Sequence, residues 1–122
     1  MSLVEITEQN YQKEVVESGL PTIIEFYDQK CDVCKMLLPI CEKVSNEYEG
    51  KAKWGKCNRY ENSEIARKLG IIVASQIAVV YKGQKIGIIP GASVSLGGAH
   101  GAVKEERLKE KINGYLESII KK

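Results

Sequence analysis

Apolar positions alternate between two periods along this chain, and that alternation predicts an α/β fold. Thr22-Ile23-Ile24-Glu25-Phe26-Tyr27 is a compact apolar run bounded by Pro21 and Asp28, the signature of a buried strand. From Cys34 to Tyr48 the pattern changes: Leu37, Leu38, Cys41, Val44 and Tyr48 recur at three- and four-residue steps, which predicts a helix closed by Gly50. Pro39 lies inside it and removes a backbone donor, so a kink is expected there. Upstream, Thr7 can cap a first helix carrying Asn10, Tyr11, Val15 and Val16, stopped by Gly19 and Pro21. Downstream, 51–57 reads as a strand with Ala52, Trp54 and Cys57 turned to the core, and 64–69 as a short helix opened by Asn62 or Ser63 and ended by Gly70.

Two further strands, 77–81 and 85–89, are joined by Lys82-Gly83-Gln84, short enough to make them an antiparallel hairpin. The stretch from Gly91 to Val103, with Gly97-Gly98-Ala99-His100-Gly101, reads as a long glycine-rich loop. A last helix is expected from Lys104 to Ile120, with Leu108, Ile112, Tyr115, Leu116 and Ile119 on one face. The resulting order is a mixed sheet with helices on both sides, and 1–122 is expected to be one domain.

Composition narrows the function classes. With 43% hydrophobic and 28% charged residues, the chain is neither a disordered nor a membrane-spanning sequence, and no apolar run nears the roughly 20 residues needed to span a bilayer. A net charge of +2 with scattered lysines gives no footprint for nucleic acid. Met1-Ser2-Leu3-Val4-Glu5 lacks the basic and apolar regions of a secretory leader. Four cysteines with a single close pair argue against a secreted disulfide framework and for a reducing cytoplasm. Cys41 lies about 10.5 Å along a helix from Cys34, beyond the roughly 7 Å Cα limit for a bridge. Cys41 and Cys57 are expected to be buried small hydrophobes.

The chemistry concentrates in Cys31-Asp32-Val33-Cys34, placed between a strand and a helix. Thiols three residues apart on a first helical turn can close or open a small disulfide ring, and the unpaired N–H groups of that turn favour a thiolate. A free thiol of pKa about 8.5 is only about 3% ionised at pH 7, and lowering that value to about 7 brings it to about half. Asp32 opposes the lowering and Lys30 offsets it. Glu25, inside an apolar strand, should have a raised pKa unless it finds a partner; the bland alternative is an outward carboxylate on a sheet edge paired with Lys56. His100, the single histidine, is expected to be solvated.

Taken together, Ile24-Glu25-Phe26-Tyr27, Cys31-Asp32-Val33-Cys34-Lys35-Met36, Pro39, Lys56, Asn58, Gly70-Ile71 and Tyr81-Lys82-Gly83-Gln84 resemble the thioredoxin family over essentially the whole chain. The resemblance implies a thioredoxin fold, a central mixed five-stranded sheet flanked by four helices on both faces. It further implies a thiol–disulfide oxidoreductase in which Cys31 attacks a substrate disulfide and Cys34 resolves the mixed disulfide. Glu25 would sit beneath Cys34 and shuttle its proton, with Lys56 as the nearby cation. Lys30, Asp32, Val33, Ala74, Ser75 and Gly91 would border the substrate. The implied partners are disulfide-containing proteins and a thioredoxin reductase or other dithiol donor, acting on a monomer without cofactor, resident metal, nucleic acid or membrane.

The departures from the family pattern matter as much. Asp32-Val33 replaces Gly-Pro between the cysteines, Lys30 an exposed Trp, and Glu25 a buried Asp. Ser75 stands where the family has a cis-proline, so the Ala74–Ser75 bond is expected to be trans, because a cis bond before a non-proline costs about 2.5–4 kcal/mol. The Ser75 hydroxyl could donate to the Cys31 thiolate, neighbour a metal, or do neither. An insertion falls within 93–103. These changes predict a narrower partner range than a general thioredoxin has. Two other classes remain open from sequence: metal or iron–sulfur binding through Cys31 and Cys34 across a dimer, and a binding module that does not use its thiols.

Overall fold

The computed structural model describes residues 3–95 and 98–120; for 92–95 and 98–100 the description is of the backbone. Five strands form one sheet: β1 (Val4–Glu5), β2 (Thr22–Tyr27), β3 (Lys53–Asn58), β4 (Gln76–Tyr81) and β5 (Gln84–Pro90), in the order β1-β3-β2-β4-β5. β3 runs parallel to both β1 and β2, while β4 is antiparallel to β2 and β5, so the sheet is mixed. β2 is therefore an interior strand, buried on both faces, which is why it reads as a near-continuous apolar run.

Alternation along β2 sends successive side chains to opposite faces. Ile23 joins Leu37, Cys41 and Val44 of α1 (Asp32–Ser45) and Leu108 and Ile112 of α3 (Glu105–Ile120) in one core. Ile24 and Phe26 join Tyr11, Cys57, and Ile65 and Ala66 of α2 (Ser63–Lys68) in a second core on the other face. Each fully buried Leu or Ile contributes about 1.5–3 kcal/mol. Glu25 shares the face of Ile23, beneath α1.

Several boundaries differ from the sequence expectation for local reasons. The segment from Thr7 yields no regular α-helix: Asn10 Oδ1 takes the Thr7 N–H at 2.7 Å, a turn forms, and one wide π-helical turn (Gln12–Val16) follows. α1 begins at Asp32, two residues earlier than expected, because Cys31 caps it. It continues through Pro39 and ends at Ser45, with a 3₁₀ turn (Asn46–Tyr48) finishing the run. The β4–β5 turn places both Lys82 (φ 53°) and Gly83 (φ 82°) in left-handed backbone, the geometry of a tight two-residue hairpin.

The largest correction concerns 91–103. That stretch is a β-hairpin, β6 (Ala92–Ser95) with β7 (Gly98–Ala102), paired antiparallel with a register shift at Ser93/Val94. Its ends are pinned: the Val103 N–H donates to Gly91 O at 2.7 Å, and the Gly91 N–H to Ser75 O at 2.6 Å. β7 packs against α1, and a side chain at Gly101 would meet Met36. The side chain of His100 lies outside the described residues.

Candidate functional site

The end of β2 and the start of α1 are joined by a turn that aims Cys31. Asp28 accepts the Lys30 N–H on its side chain (2.8 Å) and the Cys31 N–H on its carbonyl (3.4 Å), a local bond pattern that Asp offers a chain leaving a strand. Cys31 then occupies the cap of α1 in extended backbone (φ −94°, ψ 104°), and its Sγ accepts the Cys34 N–H at 3.1 Å. An N–H of the first helical turn, otherwise unpaired, thus points at this sulfur. Cys31 and Cys34 are joined as a disulfide, with their Cα atoms 5.2 Å apart. They are not equivalent: Cys31 is half-buried, whereas Cys34 is 1% exposed.

Beneath the pair, Cys34 Sγ lies 3.8 Å from the carbonyl oxygen of Phe26. In the reduced state the Cys34 thiol has an acceptor there. The same oxygen takes the Ser75 N–H at 2.8 Å, so β2 holds the thiol and the facing loop through one atom. The described residues contain no cis peptide bond, and Ser75 takes a left-handed conformation instead (φ 65°). Ser75 O binds Gly91, where an added Cβ would overlap that oxygen and come within 2.6 Å of Leu37 Cδ2. Only glycine fits so close an approach.

Glu25 is 1% exposed, and neither carboxylate oxygen has a hydrogen-bond partner among the described residues. Burial pushes its pKa up to about 8, against the opposing pull of Lys56. The outward, edge-strand alternative for Glu25 is overturned, since β2 is an interior strand. Lys56 is the register partner of both Glu5 and Glu25 and lies 4.0 Å from the Glu5 carboxylate. Cys41 also feels Glu25: its thiol is pushed well above its ordinary value by burial first and by Glu25 second. Cys57, also buried, is pushed up to about 12. Both are free thiols and inert at neutral pH.

Of the other sequence candidates, Lys30 and Asp32 are exposed, and Val33, Ala74 and Ser75 half-buried. Sequence reading passed over Ile72 (78% exposed) and Val73 (54%), and noted Met36 (52%) for its alignment alone. The first two stand in the loop before Ser75, their N–H groups held by Gln76 Oε1, and Met36 stands on α1 one turn after Asp32. Hydrophobic side chains beside a turn were the available signal. Asn58 was noted for its alignment alone; its burial at the end of β3 was not foreseen.

A disulfide at the mouth of a helix, one sulfur reachable and one enclosed, resting on an interior strand of a mixed sheet, is the equipment of thiol–disulfide exchange. Comparison with known proteins agrees. The thioredoxin family profile matches residues 2–113. Thioredoxin 1 of Nostoc sp. is 31% identical over 88 residues, covering 72% of this chain and 82% of that protein. The thioredoxin of Rickettsia felis is 38% identical over 80 residues (66% and 76%). That of Porphyra purpurea is 26% identical over 116 residues (95% and 99%). The chain belongs to the thioredoxin family and is a thiol–disulfide oxidoreductase.

The competing classes gain no support. Among the described residues no three His, Cys, Asp or Glu side chains gather into a metal-ligand set, and no helix is long and apolar enough to cross a membrane.

Proposed function

We propose that this protein reduces disulfides of a restricted set of partner proteins, with Cys31 as the attacking thiolate and Cys34 as the resolving thiol. The observation that carries this is the asymmetry of the pair: Cys31 is half-buried at a helix cap and accepts the Cys34 N–H, while Cys34 is 1% exposed. Cys31 Sγ attacks a partner sulfur, an S–S bond of the partner breaks, and a mixed disulfide forms. Cys34 then attacks Cys31 Sγ, releasing the second partner sulfur as a thiol. Two electrons pass to the partner, and Cys31–Cys34 is left oxidised until a reductase or another dithiol donor restores it.

Glu25 supports the second step. A carboxyl with a pKa near 8, buried on the α1 side of β2, is suited to take the Cys34 proton as that sulfur attacks. Lys56 tunes it by favouring the carboxylate. Lys30, Asp32, Val33, Ala74, Ser75 and Gly91 shape the approach to Cys31, and the β6–β7 hairpin against α1 adds a wall beside it. Such features act by excluding wrong partners. The protein works as a monomer in the cytoplasm, and its two buried free thiols suit a reducing compartment.

Trapping tests the roles. The Cys34→Ser variant, incubated with a protein disulfide, should accumulate a mixed disulfide through Cys31, seen by mass spectrometry. Cys31→Ser should accumulate none. Full turnover by Cys31→Ser would overturn the assignment.

A further inference from the structure

Glu5, Lys56 and Glu25 stand in one file across the sheet. The registers pair Glu5 of β1 with Lys56 of β3, Lys56 with Glu25 of β2, Glu25 with Ile77 of β4, and Ile77 with Ile89 of β5. Partners on neighbouring strands share a face, and the strands lie about 4.8 Å apart. One cation on a flexible four-carbon stem therefore stands between two carboxylates.

The structure gives that cation to Glu5. Lys56 Nζ lies 4.0 Å from Glu5 Oε1, whereas Glu25 forms no ion pair among the described residues. Glu5 is itself anchored, because its Oε2 accepts the Tyr27 hydroxyl at 2.8 Å. Burial and the bond to Glu5 make Tyr27 hold its proton more tightly than usual, so this donor persists at every working pH. As a stabilising contact the Glu5–Lys56 pair is worth little, since both side chains are partly exposed. Its effect falls instead on Glu25, which is 1% exposed and poorly screened.

Other elements around Glu25 offer Lys56 no rival. α1 brings Cys41, with Glu42 beyond it; β4 and β5 bring Ile77 and Ile89, and α3 brings Leu108 and Ile112. Glu61 is felt at Tyr27 and not at Glu25. Among the described residues Lys56 is the one charge that acts on Glu25. An ammonium swung fully to Glu25 would favour the carboxylate and leave a weak base; held toward β1, it leaves a stronger one.

We infer that Glu5 is a positioning residue for the resolving step: anchored by Tyr27, it draws the Lys56 ammonium toward β1 and keeps Glu25 basic enough to take the Cys34 proton. In that step the Cys34 proton passes to Glu25 as Cys34 Sγ bonds to Cys31 Sγ. The Cys31–partner S–S bond breaks, its electron pair leaves on the partner thiolate, and that thiolate then takes up a proton. The role of Glu5 rests on Glu25 as the proton acceptor proposed above.

Glu5→Gln tests this, because it keeps an oxygen for Tyr27 and removes only the charge. Carboxyl-carbon NMR of the reduced full chain, with the Glu25 resonance assigned by its loss in Glu25→Gln, follows the titration directly. In Glu5→Gln the Glu25 midpoint should move toward acid by about one pH unit. In a Lys56→Met background the same substitution should leave it in place, which separates displacement of Lys56 from the direct effect of the lost charge. The resolving rate is read by stopped flow, from the second thionitrobenzoate released when reduced protein meets 5,5′-dithiobis(2-nitrobenzoate). The limb of its pH profile that Glu25→Gln abolishes should move toward acid in Glu5→Gln, in step with the resonance. An unmoved or alkaline midpoint in Glu5→Gln, or an equal acid shift with Lys56 already replaced, would overturn the inference. So would a lowered urea midpoint with the Glu25 titration unchanged, the mark of a purely structural residue. If the midpoint moves but no limb of the rate profile depends on Glu25, the reading of Glu25 as proton acceptor fails, and the role of Glu5 with it.

Discussion

Replacing Glu25 by Gln removes a carboxyl that the fold encloses without a hydrogen-bond partner among the described residues. The folded-state pKa of Glu25, about 8, stands above the ordinary 4.5. A group raised on folding binds its proton more tightly in the native state, so its contribution falls as pH rises. Below about pH 4.5 the carboxyl is neutral in both states, and the two proteins should differ little, since Gln and protonated Glu are both neutral and of similar size. Between 4.5 and about 8 the unfolded chain ionises while the native state does not, at a cost of about 1.4 kcal/mol per pH unit. Above that window the cost levels off at about 5 kcal/mol, an upper figure because relaxation and entering water reduce it. Urea unfolding of the disulfide forms of Glu25→Gln and the parent, from pH 4.5 to 9, reads this directly. The variant should gain stability progressively as pH rises. A gap that stays constant with pH, or widens toward acid, would refute the view of Glu25 as a buried, unpaired carboxyl.

Three further outcomes follow from the same geometry. Lys56→Met removes the cation that favours ionised Glu25, so the Glu25 pKa should move above 8, seen as an alkaline shift of its carboxyl carbon resonance; no shift, or an acid one, would sever the link. Gly91→Ala forces a methyl onto Ser75 O and Leu37 and should cost about 1–3 kcal/mol in urea unfolding, and an unchanged midpoint would show that the approach is looser than described. Lys30→Trp should broaden the range of protein disulfides reduced and raise the insulin-reduction rate; an unaltered rate would count against discrimination by the polar surroundings of Cys31.

How far the sequence carried this reading depended on whether each element announced itself locally. β2, β3, α2 and the β4–β5 hairpin were legible because apolar period and turn residues coincide there. Strand β1 is two residues long and exists because Val4 and Glu5 pair with Gly55 and Lys56, a relation that no local pattern expresses. The β6–β7 hairpin was read as a loop because glycines interrupt its alternation; it is ordered by backbone bonds at its ends rather than by side-chain pattern. At the site, the spacing of Cys31 and Cys34 and the misplaced charge of Glu25 were visible in the chain. The left-handed Ser75 was not, because that conformation is set by its bonds to Phe26 and Gly91, both distant in sequence. Nor was the burial of Asn58 at the end of β3, where its side-chain oxygen takes the Tyr60 and Glu61 N–H groups.

The bond between Gly91 and Val103 has an evolutionary corollary. Where the chain leaves β5 and where it approaches α3, it is clasped shut, so the sheet and the last helix sense a closed junction whatever lies between. Segments of different length can be exchanged at this port without shifting the register of β5 or the docking of α3. Diversity among relatives in which partners they accept could accumulate there while the sulfur chemistry is left alone.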